Sequence, residues 1–258
     1  MTTFRNHLLN EISVQNQGDL QQEYRSIQEG CALVNRANRG WIELSGGDRA
    51  TWLHNLLTNH VKTLQCGEGT YAFAVNIQGR IVFDVHVFAR ASTLWLEMDR
   101  VLIEPAIRHL SKYAIVEDVA LQDQSETRIR LGLCGKRAGD VLGHLGASHA
   151  HRMPLFNMTE FVWEESTVEI GRTDFCGPLG FDLWVKPAIA ERFVEHLISP
   201  ASSLFVTPVR EEAVRVHQIE FGIPVAGSEI TDEVLPAETG ELQWAVSFNK
   251  GCYLGQEV

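Results

Sequence analysis

The sequence predicts an α+β fold, and two observations carry that expectation. Short strands follow one another across tight turns as hairpins, and amphipathic helices fall between them at irregular intervals. Regular strand–helix–strand units would imply a doubly wound parallel sheet. Hairpins interrupted by helices imply mixed or antiparallel sheets with helices packed on them. With 258 residues, 45% of them apolar and 21% charged, the chain is long enough for a sizeable core and two subdomains.

The elements are justified in order. The first thirty residues are polar, with Asn and Gln concentrated between Asn10 and Gln22, and read as an extension with one short helix; order begins near Ala32. Trp41–Ser45 alternates apolar and polar, the pattern of a half-buried strand. Asp48 stands where a helix cap belongs, ahead of a stripe of Trp52, Leu53, Leu56, Leu57 and Val61 that reads as core packing. Tyr71–Ile77 and Ile81–Phe88 form a hairpin around Gln78-Gly79-Arg80, and Leu94–Met98 is a third strand. A helix over Glu104–Lys112 begins with Pro105 in its first turn, where no backbone N–H is needed. Then come a strand (Arg128–Cys134), a helix (Lys136–Leu145), a loop (Gly146–Pro154), and the strands Phe161–Ile170 and Phe181–Val185 about a turn-rich stretch. Pro187 opens a helix carrying Ile189, Phe193, Leu197 and Ile198, and Pro208 another that ends near Gly222. The expected organisation is a polar extension (1–30), a first subdomain (31–125), a second α+β subdomain (126–205), and a helix with a returning segment (206–258). The end at Val258 follows a loop motif without a stop signal, so a further C-terminal domain is expected.

Charge and cysteines narrow the function classes. A formal net charge of −11 disfavours a surface built to grip phosphate backbones, so no direct nucleic-acid partner is expected. No run of eighteen apolar residues exists, and no membrane role is expected. The N-terminus resembles neither a secretory signal nor an Arg-rich presequence, which points to a bacterial cytoplasm, or to a mitochondrial matrix if a leader has been removed. Cys31, Cys66, Cys134, Cys176 and Cys252 are odd in number, far apart, and contain no C-x-x-C. A disulfide framework or local cluster site is therefore not expected, and the three histidines His144, His149 and His151 lack a metal-ligand pattern.

Two places carry candidate chemistry. In the second hairpin strand, Ile81, Phe83, Val85 and Val87 share one face, and Val82, Asp84, His86 and Phe88 the other. An acid and a base beside apolar walls suit a polar heteroaromatic ligand, although a solvent-facing strand would look the same. The second place is Lys250-Gly251-Cys252-Tyr253-Leu254-Gly255-Gln256-Glu257. Its glycines suit a tight exposed loop, and Lys250 beside Cys252 would favour the thiolate; a buried inert thiol is the bland alternative.

That octapeptide resembles the signature of the YgfZ branch of the YgfZ/GcvT family, folate-binding proteins whose mitochondrial relatives assist iron–sulfur cluster assembly. Gly40–Val61, Gly79–Val87, Arg172–Leu183 and Arg215–Pro224 are similar to successive blocks of GcvT, the aminomethyltransferase of glycine cleavage. The resemblance implies a GcvT-like fold with a central cavity for tetrahydrofolate or a related reduced folate. It implies Cys252 and Lys250 as catalytic candidates, and Asp84, Arg172, Phe175, Arg215, Tyr253, Gln256 and Glu257 as folate-binding candidates, with no metal. Where GcvT carries an acid pair, this chain has Phe83-Asp84; the family's catalytic acid matches one or the other position. Its pterin-binding glutamate is replaced by Pro178, which has no side-chain acceptor. The expected function is therefore a tetrahydrofolate-binding accessory factor for iron–sulfur assembly or repair, with indirect effects on tRNA modification and with assembly proteins or cluster enzymes as partners. The alternative is a folate-dependent aminomethyltransferase or other one-carbon transferase.

Overall fold

The computed structural model describes residues 19–256. In chain order the elements are α1 (Leu20–Glu29), β1 (Cys31–Asn35), β2 (Arg39–Ser45), α2 (Arg49–Leu56), β3 (Gly69–Val75), β4 (Ile81–Ala89), β5 (Leu94–Asp99), α3 (Ile103–Ser111) and β6 (Ala120–Asp123). They continue with β7 (Ile129–Cys134), α4 (Ala138–His144), β8 (Met158–Trp163), β9 (Ser166–Thr173), β10 (Gly180–Val185), α5 (Pro187–Ile198), β11 (Val206–Val209), α6 (Glu211–Phe221) and α7 (Leu242–Ala245). The fold is α+β, as expected. No helix among the described residues is long and apolar enough to cross a membrane.

Among the described residues the chain divides into two compact units that interleave in sequence: residues 19–37 with 126–223, and 38–125 with 224–256. The expected subdomains ran consecutively. Sequence patterns mark local elements, whereas returning segments join whichever core they bury against.

The first unit holds a six-stranded sheet, β11-β1-β7-β10-β9-β8, in which only β1 and β11 run parallel. On one face α4 and α5 pack Val141, Leu142, Phe193 and Leu197 against Leu33, Leu131, Leu133 and Leu183. On the other, Ile27 of α1 and Ala213 and Val214 of α6 meet Ala32, Val34 and Cys134. Because β1 is covered on both sides, Cys31–Val34 is a continuous apolar run rather than an alternating one. Helix α1 therefore belongs to this core, although its sequence lies in the expected polar extension; Glu23 is buried because it accepts the Arg210 backbone N–H at 2.9 Å and pairs with its guanidinium at 2.8 Å. The expected strand Phe161–Ile170 is split into β8 and β9 by Glu164 and Glu165, both at positive φ, and Pro208 lies in β11, so that α6 begins at Glu211.

The second unit holds an antiparallel sheet, β3-β4-β5-β2-β6. One face packs Ala72, Phe83, Val85, Val87, Leu96 and Ile42 against Trp52, Leu53 and Leu56 of α2 and Ala106 and Leu110 of α3. Val82 also packs at this core, beside the β-bulge at Ala74/Val75, which disturbs the expected alternation. Asp48 precedes α2 but does not cap it; its carboxylate accepts the Asp118 N–H at 2.8 Å instead.

Candidate functional site

The opposite face of the second unit's sheet carries the polar residues. Pairing sets Tyr71 opposite His86 and Phe73 opposite Asp84, with Glu97 and Trp95 on the next strand facing His86 and Phe88. Alternate residues share a face, so Tyr71, Phe73, Asp84, His86, Phe88, Trp95, Glu97, Trp41 and Arg39 lie on one surface across four strands. Trp41 and Trp95 rings sit 4.2 Å apart, and Tyr71 and His86 rings 4.9 Å apart.

The polar groups form two linked arrangements. Arg39 grips Glu97 with two parallel N–H···O bonds of 2.7 and 2.8 Å, and His86 Nδ1 meets the same carboxylate at 3.0 Å. A carboxylate only accepts, so His86 Nδ1 carries the proton in this pair and the ring orientation is set by it. Beside them the Tyr71 hydroxyl donates to Asp84 Oδ2 at 3.1 Å. Asp84 is buried, 6% exposed, and its Oδ1 has no hydrogen-bond partner. A buried acceptor left unsatisfied costs about 1–3 kcal/mol.

Residues 242–256 are anchored near this face by side chains that follow α2. Thr58 Oγ1 donates to Ala245 O at 2.6 Å and accepts the Phe73 N–H at 2.8 Å. Asn59 Nδ2 bridges Trp244 O and Tyr71 O at 2.7 and 2.9 Å. Lys250, expected to stand against the Cys252 thiol, is buried and directs its ammonium to the carbonyls of His54, Leu57 (2.5 Å) and Asn59 (3.1 Å). An ammonium has three donors, so none remains for sulfur; its role here is to satisfy carbonyls at and just beyond the end of α2. Burial, with Lys62 nearby, brings its pKa down to about 8.

The other candidates are placed as follows. Cys252 is exposed. Tyr253 lies 5.2 Å from the Lys250 ammonium, and burial raises the pKa of its phenol. Gln256 Oε1 accepts the Tyr253 N–H at 3.2 Å, closing the loop on itself. Gly255 needs to be glycine, since it has φ +77° and a Cβ there would stand 2.2 Å from Asn76 O; Gly251 has open space around it. Glu257 lies outside the described residues. Arg172, Phe175 and Arg215 belong to the first unit. There Arg172 donates to Met153 O and to Pro178 O (3.3 Å), and Phe175 lies under the Arg36 guanidinium at 4.2 Å. Arg215 lies on α6.

Phe175 borders a buried ionic cluster that the sequence reading missed. Asp182, 0% exposed, accepts from Arg36 and Arg130 at 3.1 Å each and from Thr173 Oγ1 at 2.7 Å, and Arg130 stacks over Trp184 at 3.8 Å. Tyr71, Glu97 and Arg39 were missed as well. A signal for Tyr71 existed: counting outward from Gln78-Gly79 sets 71 against 86 and 73 against 84.

The GCVT N-terminal domain model matches residues 4–250. Aminomethyltransferases of Desulforamulus reducens and Thermoanaerobacter sp. are 27% and 23% identical over 91% and 92% of this chain. The chain spans 64% of the length of each. A "putative transferase At1g60990, chloroplastic" of Arabidopsis thaliana is 24% identical over 90% of the chain and 53% of its own length. In fold, the chain is similar to the glycine cleavage system aminomethyltransferase T from Bartonella henselae, with a TM-score of 0.75 and 20% identity over 84% of this chain and 58% of that one. With the family model covering nearly the whole chain, the protein belongs to the GCVT N-terminal domain family.

Proposed function

We propose that the chain binds a reduced folate of the tetrahydrofolate type and serves one-carbon transfer on it in the manner of an aminomethyltransferase. The names of the relatives favour this alternative over the iron–sulfur accessory role that the octapeptide first suggested. The observation that carries it is Asp84: a buried carboxylate with one oxygen held by Tyr71 and the other without a partner, between the Tyr71, Phe73 and His86 rings. A reduced pterin presents N–H donors on a flat ring, which such a site would satisfy.

When bound, tetrahydrofolate supplies the nitrogens that carry the one-carbon unit. Asp84 Oδ1 accepts a ligand N–H, Tyr71 keeps the carboxylate in that orientation, and the aromatic faces hold the ring. The Arg39–Glu97 pair fixes the His86 imidazole, with its Nδ1 proton committed to Glu97. A carboxylate so placed gives general acid–base assistance of about 10²–10⁴-fold.

A second reading, the YgfZ-type accessory role for iron–sulfur proteins, rests on Cys252. This exposed thiol stands on a loop tied down by Lys250 and Gly255, where a redox or transfer partner can reach it. Pro178 in place of the pterin-binding glutamate also favours it. The test is calorimetric titration of the chain with tetrahydrofolate, then a single-turnover assay for 5,10-methylenetetrahydrofolate from an aminomethylated carrier. Binding with turnover supports the first reading. Binding without turnover, with lost cluster-enzyme activity in cells carrying Cys252→Ala, supports the second. Absence of binding removes both.

A further inference from the structure

In the second unit β3 is an edge strand, and residues 57–59, just past the end of α2, lie along its open side. Leu57 bridges Ala74, and the Thr58 N–H donates to Phe73 O at 2.9 Å. An open edge is free to slip or to pair elsewhere, so the residues that cover this one also fix its place. The strand they hold carries Tyr71, whose hydroxyl donates to Asp84, and Phe73, which is paired with Asp84 across the sheet.

The same residues hold the returning segment. Thr58 has no exposed surface, and its hydroxyl is used twice: it accepts the Phe73 N–H at 2.8 Å and donates to Ala245 O at 2.6 Å. The Asn59 carboxamide is used three times. Its nitrogen donates to Tyr71 O at 2.9 Å and to Trp244 O at 2.7 Å, and its oxygen accepts the His60 N–H at 2.8 Å. The bond to His60 fixes which way the amide faces, so both of its N–H donors are committed to the two distant segments. The Ser247 N–H adds a bond to Thr58 O at 3.0 Å, and the Lys250 ammonium reaches the carbonyls of Leu57 and Asn59.

The chemistry at these two positions is specific. A valine would fill the volume of Thr58, yet it would strip the side-chain partner from both the Phe73 N–H and the Ala245 carbonyl. The place of the Tyr71 hydroxyl follows from where β3 sets the Tyr71 backbone, and Asn59 holds that backbone at its carbonyl. We propose that Thr58 and Asn59 are positioning residues of the folate site: from the junction of β3 with residues 244–247 they keep Tyr71 against Asp84, without touching the ligand themselves. The inference rests on the folate reading of Asp84.

The test is calorimetric titration of the full chain with tetrahydrofolate, as wild type and as Thr58→Val, Thr58→Ser and Asn59→Ala. Thr58→Val and Asn59→Ala should weaken binding about 5- to 10-fold, the share of one or two hydrogen bonds, whereas Thr58→Ser keeps the hydroxyl and should stay within about twofold of wild type. Action through Asp84 makes the losses non-additive, so Asn59→Ala in an Asp84→Asn background should weaken binding by less than about twofold. Amide hydrogen exchange needs no variant and carries the test if one fails to fold: tetrahydrofolate should slow the exchange of the Phe73 and Ser247 amides, both bonded to Thr58, in the wild type. Four results overturn the positioning role and leave the folate reading standing: variants that bind like wild type, a Thr58→Ser chain as weak as Thr58→Val, losses that add in the double variant, or unchanged exchange at both amides. A wild-type chain that does not bind tetrahydrofolate removes the folate reading, and the positioning role with it.

Discussion

Replacing Asp84 with Asn changes one atom and reverses the chemistry at one position. The Tyr71 hydroxyl donates to Oδ2 at 3.1 Å, so the amide oxygen of Asn takes that place. The amide nitrogen then occupies the Oδ1 position, where a donor faces the donor of the incoming ligand. What is lost is a hydrogen bond to a charged group, about 1.5–3 kcal/mol, or about 10- to 150-fold in Kd. The fold should not weaken in parallel: the Tyr71 bond is kept and a buried negative charge is removed, so the stability change should stay within about 1 kcal/mol. Calorimetric titration with tetrahydrofolate measures the first quantity and urea unfolding the second. An affinity within threefold of wild type would refute the assignment of Oδ1 to the ligand. A loss of stability of several kcal/mol would show that the carboxylate serves the fold instead.

Three further outcomes are expected. Asp182→Ala strips the shared carboxylate from the buried Arg36 and Arg130 guanidiniums and should cost about 3–5 kcal/mol in urea unfolding, more than any exposed ion pair such as Arg108–Glu104. Gly132→Ala places a Cβ 2.6 Å from the Phe175 ring and 3.2 Å from Arg36 Cγ, and should destabilise by about 1–3 kcal/mol in the same assay. Buried His54, whose Nδ1 accepts the Val61 N–H at 3.3 Å, has its pKa lowered from 6.5 to about 4, first by burial and then by Lys250. The unfolded chain then binds more protons between those values, so stability falls as pH drops from 6.5 toward 4, and His54→Asn should flatten that slope.

Much of the fold was legible from local pattern. The β4 alternation separated Phe83, Val85 and Val87 from Asp84 and His86, and only the first three join the apolar core, although both sets are buried. Pro187 marked the start of α5 as N1 proline should. The same local logic failed where distant partners decide. Residues 20–29 are polar enough to read as an extension, yet Ile27 and the Glu23–Arg210 pair bind them to a sheet whose strands other than β1 lie about a hundred residues or more away. Lys250 looked like a neighbour of Cys252 because it is two residues from it; its actual partners are carbonyls about 190 residues earlier.

By itself the sequence determined the α+β class, the family blocks, and the strand face on which an acid and a base stand together. These follow from periods of 2 and 3.6 residues and from short motifs, which need no knowledge of the rest of the chain. The tertiary structure alone decided that Tyr71 holds one Asp84 oxygen and leaves the other open, that Arg39 and Glu97 orient His86, and that Lys250 secures a helix end. Those contacts join residues brought together by strand pairing and core burial, and pairing between distant segments is set by the fit of the whole unit rather than by any local stretch of it.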